Sequence, residues 1–224
     1  MMAISNQQTV KPKRRLIDRR AIRLLAKSVL VLVVVGILIG IFHNRILLAI
    51  GSYMAIHDPI EKSDLILMLN HEAQTIPFAT ADLFNKGFAP RIVLGNYRRS
   101  RIEQLNIVGH QHRFGQRILV SQGVPAANIE VIGEELKDTV DLGAALSEYC
   151  KSNNITSVIV VTSSPFSRLD RNDLLRRLAG QNIKLRMYPV RTTYFDETDW
   201  WRVKQGWIGY FDAYYLSLLH NFAR

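Results

Sequence analysis

The 224-residue sequence has a single cysteine, Cys150, which excludes an intramolecular disulfide and a thiolate metal cluster. Cys150 shares a predicted helix face with Leu142, Leu146 and Tyr149, so a buried, inert thiol is expected. A Gly-x-Ser-x-Gly elbow is also missing, and no His–Asp pair is placed by spacing, which argues against a serine nucleophile. Acid is scarce at the N-terminus. Over positions 1–27 Asp18 stands alone against Lys11, Lys13, Arg14, Arg15, Arg19, Arg20, Arg23 and Lys27, so this segment carries +7 of the net +10. The remaining 197 residues carry only +3. A nucleic-acid-binding domain spreads its positive charge over the folded part. Here the excess abuts an apolar segment, which suits anionic lipid head groups instead. A bilayer is therefore the expected partner, nucleic acid is not, and no cofactor is expected.

Positions 24–42 form that apolar segment, 19 residues interrupted only by Lys27. About 20 apolar residues cross a bilayer core, and a lysine near one end can snorkel to the interface. The run is long for a signal peptide, and His43-Asn44-Arg45 closes it where a small-x-small cleavage site would be needed. The expected organisation is a basic cytoplasmic tail over 1–23, a transmembrane helix over 24–45, a juxtamembrane segment over 46–62 and a folded domain over 63–224. The positive-inside rule puts the N-terminus in the cytoplasm and the domain on the extracytoplasmic side of an inner membrane. Positions 46–56 are apolar but too short to span, and are read as extending the anchor helix or lying on the membrane face of the domain.

The domain is organised around Ser157-Val158-Ile159-Val160-Val161-Thr162-Ser163-Ser164-Pro165-Phe166-Ser167-Arg168. A β-branched run bounded by turn residues reads as a central strand buried on both faces. Strands are also predicted over 65–69, 92–94, 129–132 and 185–190, and helices over 77–86, 107–122, 138–151 and 170–179. This alternation predicts an α/β fold, a Rossmann-like open and mainly parallel sheet with helices on both faces. The tail from Asp199 contains Trp200, Trp201 and Trp207, then apolar residues at helical spacing. It reads as a closing helix packed on the sheet, with an interfacial foot at Trp200-Trp201-Arg202 as the alternative.

Ligands of such sheets bind beyond the carboxyl ends of the strands, where turns and helix N-termini converge. Thr162, Ser163, Ser164, Ser167 and Arg168 are the expected anion cradle, although the same hydroxyls would serve equally as helix caps. Asn70 and His71 follow the first strand and should share that edge, as should Thr139 at a helix start. His71, Ser167 and Arg168 are the candidate catalytic residues. His71 could be an acid or base or a solvated loop residue, because the sequence places no partner for it. His110 and His112 would point about 200° apart on a helix, so no metal site is expected. Arg98, Arg99 and Arg101 form a basic loop that suits solvent or an acidic ligand.

Asp58-Pro59, Ser63-Asp64, Pro77-Phe78-Ala79, Gly87-Phe88-Ala89-Pro90, Gly123-Val124-Pro125, Asp138-Thr139 and Val161-Thr162-Ser163 occur in an order that resembles the DUF218 family. The resemblance runs from about Ile46 to the C-terminus. It implies a Rossmann-like sheet and a role in the cell envelope, with a phosphorylated lipid or nucleotide-like ligand. Several polar positions of the family pattern differ here. Asn70-His71 replaces a Gly-Gly, Ile76 an arginine and Gln111 a glutamate. An acidic position survives only as Asp141, beside Leu142, and a histidine falls at Phe166 or Ser167, with Arg168 or Arg171 keeping the turn's arginine. The expected function is envelope biogenesis by binding an anionic ligand. Two alternatives stay open, an active enzyme on a phosphorylated or glycosyl-lipid substrate and a catalytically inactive scaffold with an envelope protein partner.

Overall fold

A computed structural model describes residues 19–105 and 107–222. Most of the basic tail expected over 1–23 lies outside the described residues. By internal contacts the chain forms two units, one ending at Arg45 and one beginning at Ile46. The first contains most of helix α1 (Arg19–Met54). From Ile22 onward α1 is long and apolar enough to cross a membrane. At about 1.5 Å per residue its 36 residues cover roughly 54 Å, more than a hydrocarbon core.

The second unit is a five-stranded, all-parallel sheet. Its strands are β1 (Leu65–Met68), β2 (Ile92–Tyr97), β3 (Ile129–Leu136), β4 (Ser157–Ser163) and β5 (Lys184–Val190). The spatial order is β3-β2-β1-β4-β5. Winding therefore proceeds outward from β1 through β2 to β3, then returns to the other side of β1, so the strand order reverses between β1 and β4. The connecting helices are α2 (Ile76–Asn85), the short α3 (Arg101–Gln104), α4 (Gln111–Ser121), α5 (Thr139–Ser152) and α6 (Ser167–Arg177), and α7 (Lys204–Phe222) follows β5.

Strand alternation explains why both faces are covered. Leu65, Leu67, Val158 and Val160 pack with Leu142 and Leu146 of α5, Leu174 of α6 and Leu178 at the C-cap of α6. Ile66, Met68, Ile159 and Val161 pack with Ile76, Ala81 and Leu83 of α2 and Leu119 of α4. Every residue of β1 is buried, and each such side chain contributes about 1.5–3 kcal/mol of transfer free energy. At the amino ends of the central strands Asp64 acts as a latch. Its Oδ2 accepts from the Thr156 and Ser157 amides at 2.9 and 3.0 Å and from both hydroxyls at 2.9 Å. The Thr156 amide, chief among these donors, outweighs partial burial and holds the Asp64 carboxyl below its ordinary value.

Three local readings change. The basic loop of Arg98, Arg99 and Arg101 is not wholly irregular: β2 continues to Tyr97, and Ser100 and Glu103 form a reciprocal capping box that starts α3. Helix α4 begins at Gln111 rather than Ile107, with His110 as its N-cap. Trp200 is no interfacial foot. It is 4% exposed, packs with Met54, Phe195, Tyr210 and Ala213, and donates from Nε1 to the Leu47 carbonyl at 3.1 Å. A Cβ on Gly206 would lie 2.0 Å from the Trp200 carbonyl oxygen, so only glycine allows α7 to start so close to that turn. The 46–56 segment continues helix α1 as far as Met54, and its Leu47, Ile50 and Met54 join this cluster.

Candidate functional site

The site is built where the strand order reverses. β1 runs into Asn70 and His71, and β4 ends at Thr162 and Ser163, so the residues following two adjacent parallel strands share one edge. Four residues later, Pro165 and Phe166 have turned the chain into α6, which brings Asp170 back over the carboxyl end of β4.

Asp170 is the hub. It is 1% exposed and holds three side chains. Thr162 donates its hydroxyl to Oδ2 at 2.5 Å, and Thr139 donates to Oδ1 at 3.3 Å. His71 Nε2 lies 3.1 and 3.0 Å from the two oxygens. A buried carboxylate needs such donors, since leaving it unpaired costs several kcal/mol. The His71 ring also stacks on Phe166, with centroids 5.1 Å apart and planes 17° apart. Burial pulls the His71 pKa down, but the charge of Asp170 and its hydrogen bond outweigh this, and the net shift is upward from 6.5. Because Nε2 is held by the carboxylate, Nδ1 is the nitrogen left to exchange a proton with a ligand.

His71 lines a cleft of about 580 Å³ with Asn70, Tyr97, Gln111, Thr139 and the charged residues Arg98, Lys137 and Asp138. Three features suit it to an anion. Arg98 and Lys137 outnumber Asp138, which is engaged as the N-cap of α5 by accepting from the Asp141 amide at 2.9 Å. The 14-residue α5 presents its N-terminus at Thr139, where peptide dipoles favour negative charge. Asn70 Nδ2 is buried without a hydrogen-bond partner, a donor awaiting an acceptor. Tyr97 adds a neutral donor, because burial first and then the charges of Asp170 and Asp138 push its phenol far above the ordinary value. The cleft floor is fixed by Gln111, whose Nε2 donates to the Asn70 carbonyl at 3.1 Å.

Of the residues expected from sequence, His71, Thr139 and Thr162 meet on Asp170, and Asn70 lines the same cleft. The rest of the hydroxyl-rich turn lies elsewhere. Ser163 is 2% exposed, within the strand. Ser164 Oγ lies 2.6 Å from Glu197 Oε2 and 3.1 Å from the Tyr210 hydroxyl. Ser167 is fully buried, donates to the Ile56 carbonyl and accepts from the Ile56 amide, both at 3.2 Å. Arg168 donates to the Tyr53 carbonyl and lies over the Tyr53 ring, 4.1 Å from its centroid. These three brace the end of α1 and the α7 side of the unit, and none lines the cleft. Ile76 is fully buried in the core.

Sequence reading missed Asp170 as a site residue and did not assign Tyr97 or Lys137. One signal for Asp170 was present, an acid on the first turn of the helix after the central strand. His110 and His112 are not opposed as a helical pair would be. Because His110 precedes the helix, their rings lie side by side, 4.3 Å apart. Among the described residues no group of three or more His, Cys, Asp or Glu is placed to hold a metal ion. Compared with known proteins, the chain matches no family model, no curated protein and no solved structure.

Proposed function

We propose that this protein is a membrane-anchored, DUF218-like enzyme of the cell envelope. Its α/β domain lies on the extracytoplasmic side of the inner membrane, and its cleft acts on a phosphorylated or glycosyl-lipid substrate. The observation that carries the catalytic part of this reading is the His71–Asp170 pair, seated on Thr162 and Thr139 at the switch point, with His71 among the residues that line the cleft. Binding alone would not need a buried carboxylate to orient and charge-stabilise an imidazole.

Arg98, Lys137, the α5 N-terminus and Asn70 Nδ2 hold the anionic group. His71 Nδ1 takes a proton from a water molecule as that water attacks the anionic centre. The imidazolium formed is stabilised by Asp170 and returns the proton to the leaving oxygen. Water is the nucleophile in this scheme, since Ser164 and Ser167 are turned away and engaged. Membrane attachment rests on α1, and its orientation on the excess of basic residues before the apolar run.

The test uses the full chain in phosphatidylcholine nanodiscs, screened by thermal shift against nucleotides, sugar phosphates and short polyprenyl phosphates. The class that raises Tm is then assayed for turnover. His71→Ala should lower kcat by about 10²–10⁴-fold while ligand still raises Tm. Saturable binding with no turnover in the wild type would overturn the catalytic reading and leave a binding protein. Alkaline phosphatase fused after Arg224 should be active in cells if the domain is extracytoplasmic.

A further inference from the structure

A second cavity, larger than the cleft at about 690 Å³, lies on the α3–α4 side of the sheet. Its charged lining is Arg99, Arg113 and Arg117 against one acid, Glu103. That acid is already committed. Glu103 accepts from the Ser100 amide through Oε2 at 2.7 Å and from the Gln111 amide through Oε1 at 2.8 Å. Among the described residues none of the three arginines has an ion-pair partner. The nearest engagement is that of Arg117, 6.0 Å above the Phe114 ring. With His110 neutral the lining carries a net +2, concentrated in a concavity where water screens it less.

Two further observations point to a ligand. His110 also lines the cavity, and its buried Nδ1 makes no hydrogen bond and lies 4.0 Å from Glu103 Oε1. Apart from Gly109 and Gln116 the remaining wall is apolar, formed by Val108, Val120, Ala126 and Ile129, with Val108 and Val120 left 45% and 48% exposed. Free arginines that only confer solubility belong on open convex surface. Here three of them share a drug-sized hollow with an apolar wall.

We propose that this cavity binds a dianionic phosphate monoester carrying an apolar group, with Arg99, Arg113 and Arg117 clamping the phosphate oxygens and the valine wall covering the apolar part. Guanidinium forks match phosphate oxygens two at a time, and the net +2 of the lining, Glu103 included, balances one dianion. The site is separate from the His71 cleft, so its occupancy does not depend on the reaction proposed there.

Phenyl phosphate is the probe, titrated calorimetrically at pH 8 into the full chain in phosphatidylcholine nanodiscs. It should bind roughly tenfold more tightly than inorganic phosphate, because the ring adds apolar burial. Phenol should not bind measurably. Arg113→Gln should weaken phenyl phosphate about tenfold or more, and the Arg99→Gln/Arg113→Gln/Arg117→Gln chain should lose this event. All three side chains are exposed and without ion-pair partners, so the variants should keep the wild-type Tm. Lys137→Gln, which alters the cleft, should leave the event intact. The proposal is overturned if the arginine variants bind normally, if Lys137→Gln removes the event, or if phenyl phosphate binds no better than phenol. Doping the nanodiscs with phosphatidic acid, against phosphatidylglycerol at equal charge, names the natural source. Competition specific to phosphatidic acid assigns a lipid head group, and its absence assigns a free ester.

Discussion

Replacing Asp170 by alanine should be among the most damaging single changes in the domain. The carboxylate is 1% exposed and accepts from Thr162, Thr139 and His71. Alanine leaves the fully buried Thr162 hydroxyl without its acceptor and opens a small void beside it. Removing one member of a buried, hydrogen-bonded pair costs about 3–5 kcal/mol. For a chain of this size that is roughly a 6–20 °C fall in Tm. Asp170→Asn keeps the shape and one carbonyl acceptor, while the Thr162 hydroxyl can rotate to accept from the amide, so about 1–3 kcal/mol is expected. Thermal unfolding of the full chain in nanodiscs, followed by the fluorescence of the clustered Trp200, Trp201 and Trp207, measures both. If Asp170→Ala costs less than about 1 kcal/mol, or asparagine is as harmful as alanine, Asp170 is not the hub described.

The upward shift of His71 sets a sign. A raised folded-state value stabilises the fold fully below the ordinary 6.5 and is lost as pH rises through the raised value. The Tm gap between wild type and His71→Ala should therefore be widest below pH 6.5 and narrow toward alkaline pH, and a constant gap would refute the pairing. Turnover, which needs neutral His71, should rise over that same alkaline window. Cys150 is 1% exposed and burial, chiefly, pushes its thiol up to about 11, so maleimide should label it only once the domain unfolds. Gly206→Ala drives a methyl into the Trp200 backbone carbonyl and should destabilise by about 2 kcal/mol or more, seen as early loss of tryptophan signal on heating. Arg168→Ala should free Tyr53 and leave ligand binding in the cleft unchanged. A binding defect there would return Arg168 to the site.

Continuous apolar runs such as Leu65–Leu69 and Val158–Val161, separated by helical patterns, made the parallel sheet readable, because both faces must be apolar when helices cover both. The long apolar helix α1 was readable for a simpler reason, being a matter of length and composition. The site was only half readable. His71 and Thr162 could be placed at one edge, since each follows a strand. Their meeting point on Asp170 depends on how far Pro165 and Phe166 turn the chain before α6 begins, an angle that spacing does not encode. The serines were misdirected for the same reason: Ser164 and Ser167 share the turn with Thr162, yet the turn rotates them toward Glu197 and Ile56. The arginine pocket depends on α4 starting at Gln111, set by Glu103 accepting from its amide eight residues away.

The Asp64 latch also has a consequence for how the protein is made. It joins β1 to residues 92 and 93 positions later in the chain. A ribosome adding about 5–20 residues per second finishes β1 roughly 5–20 s before β4 can pair. Throughout that interval the inner edge of β1, apolar on both sides, is a free strand edge able to pair with another chain. The nascent domain must therefore be held apart from its neighbours until Thr156 and Ser157 arrive. Four donors converging on one carboxylate then select β4, and not a stray apolar strand, to close the sheet.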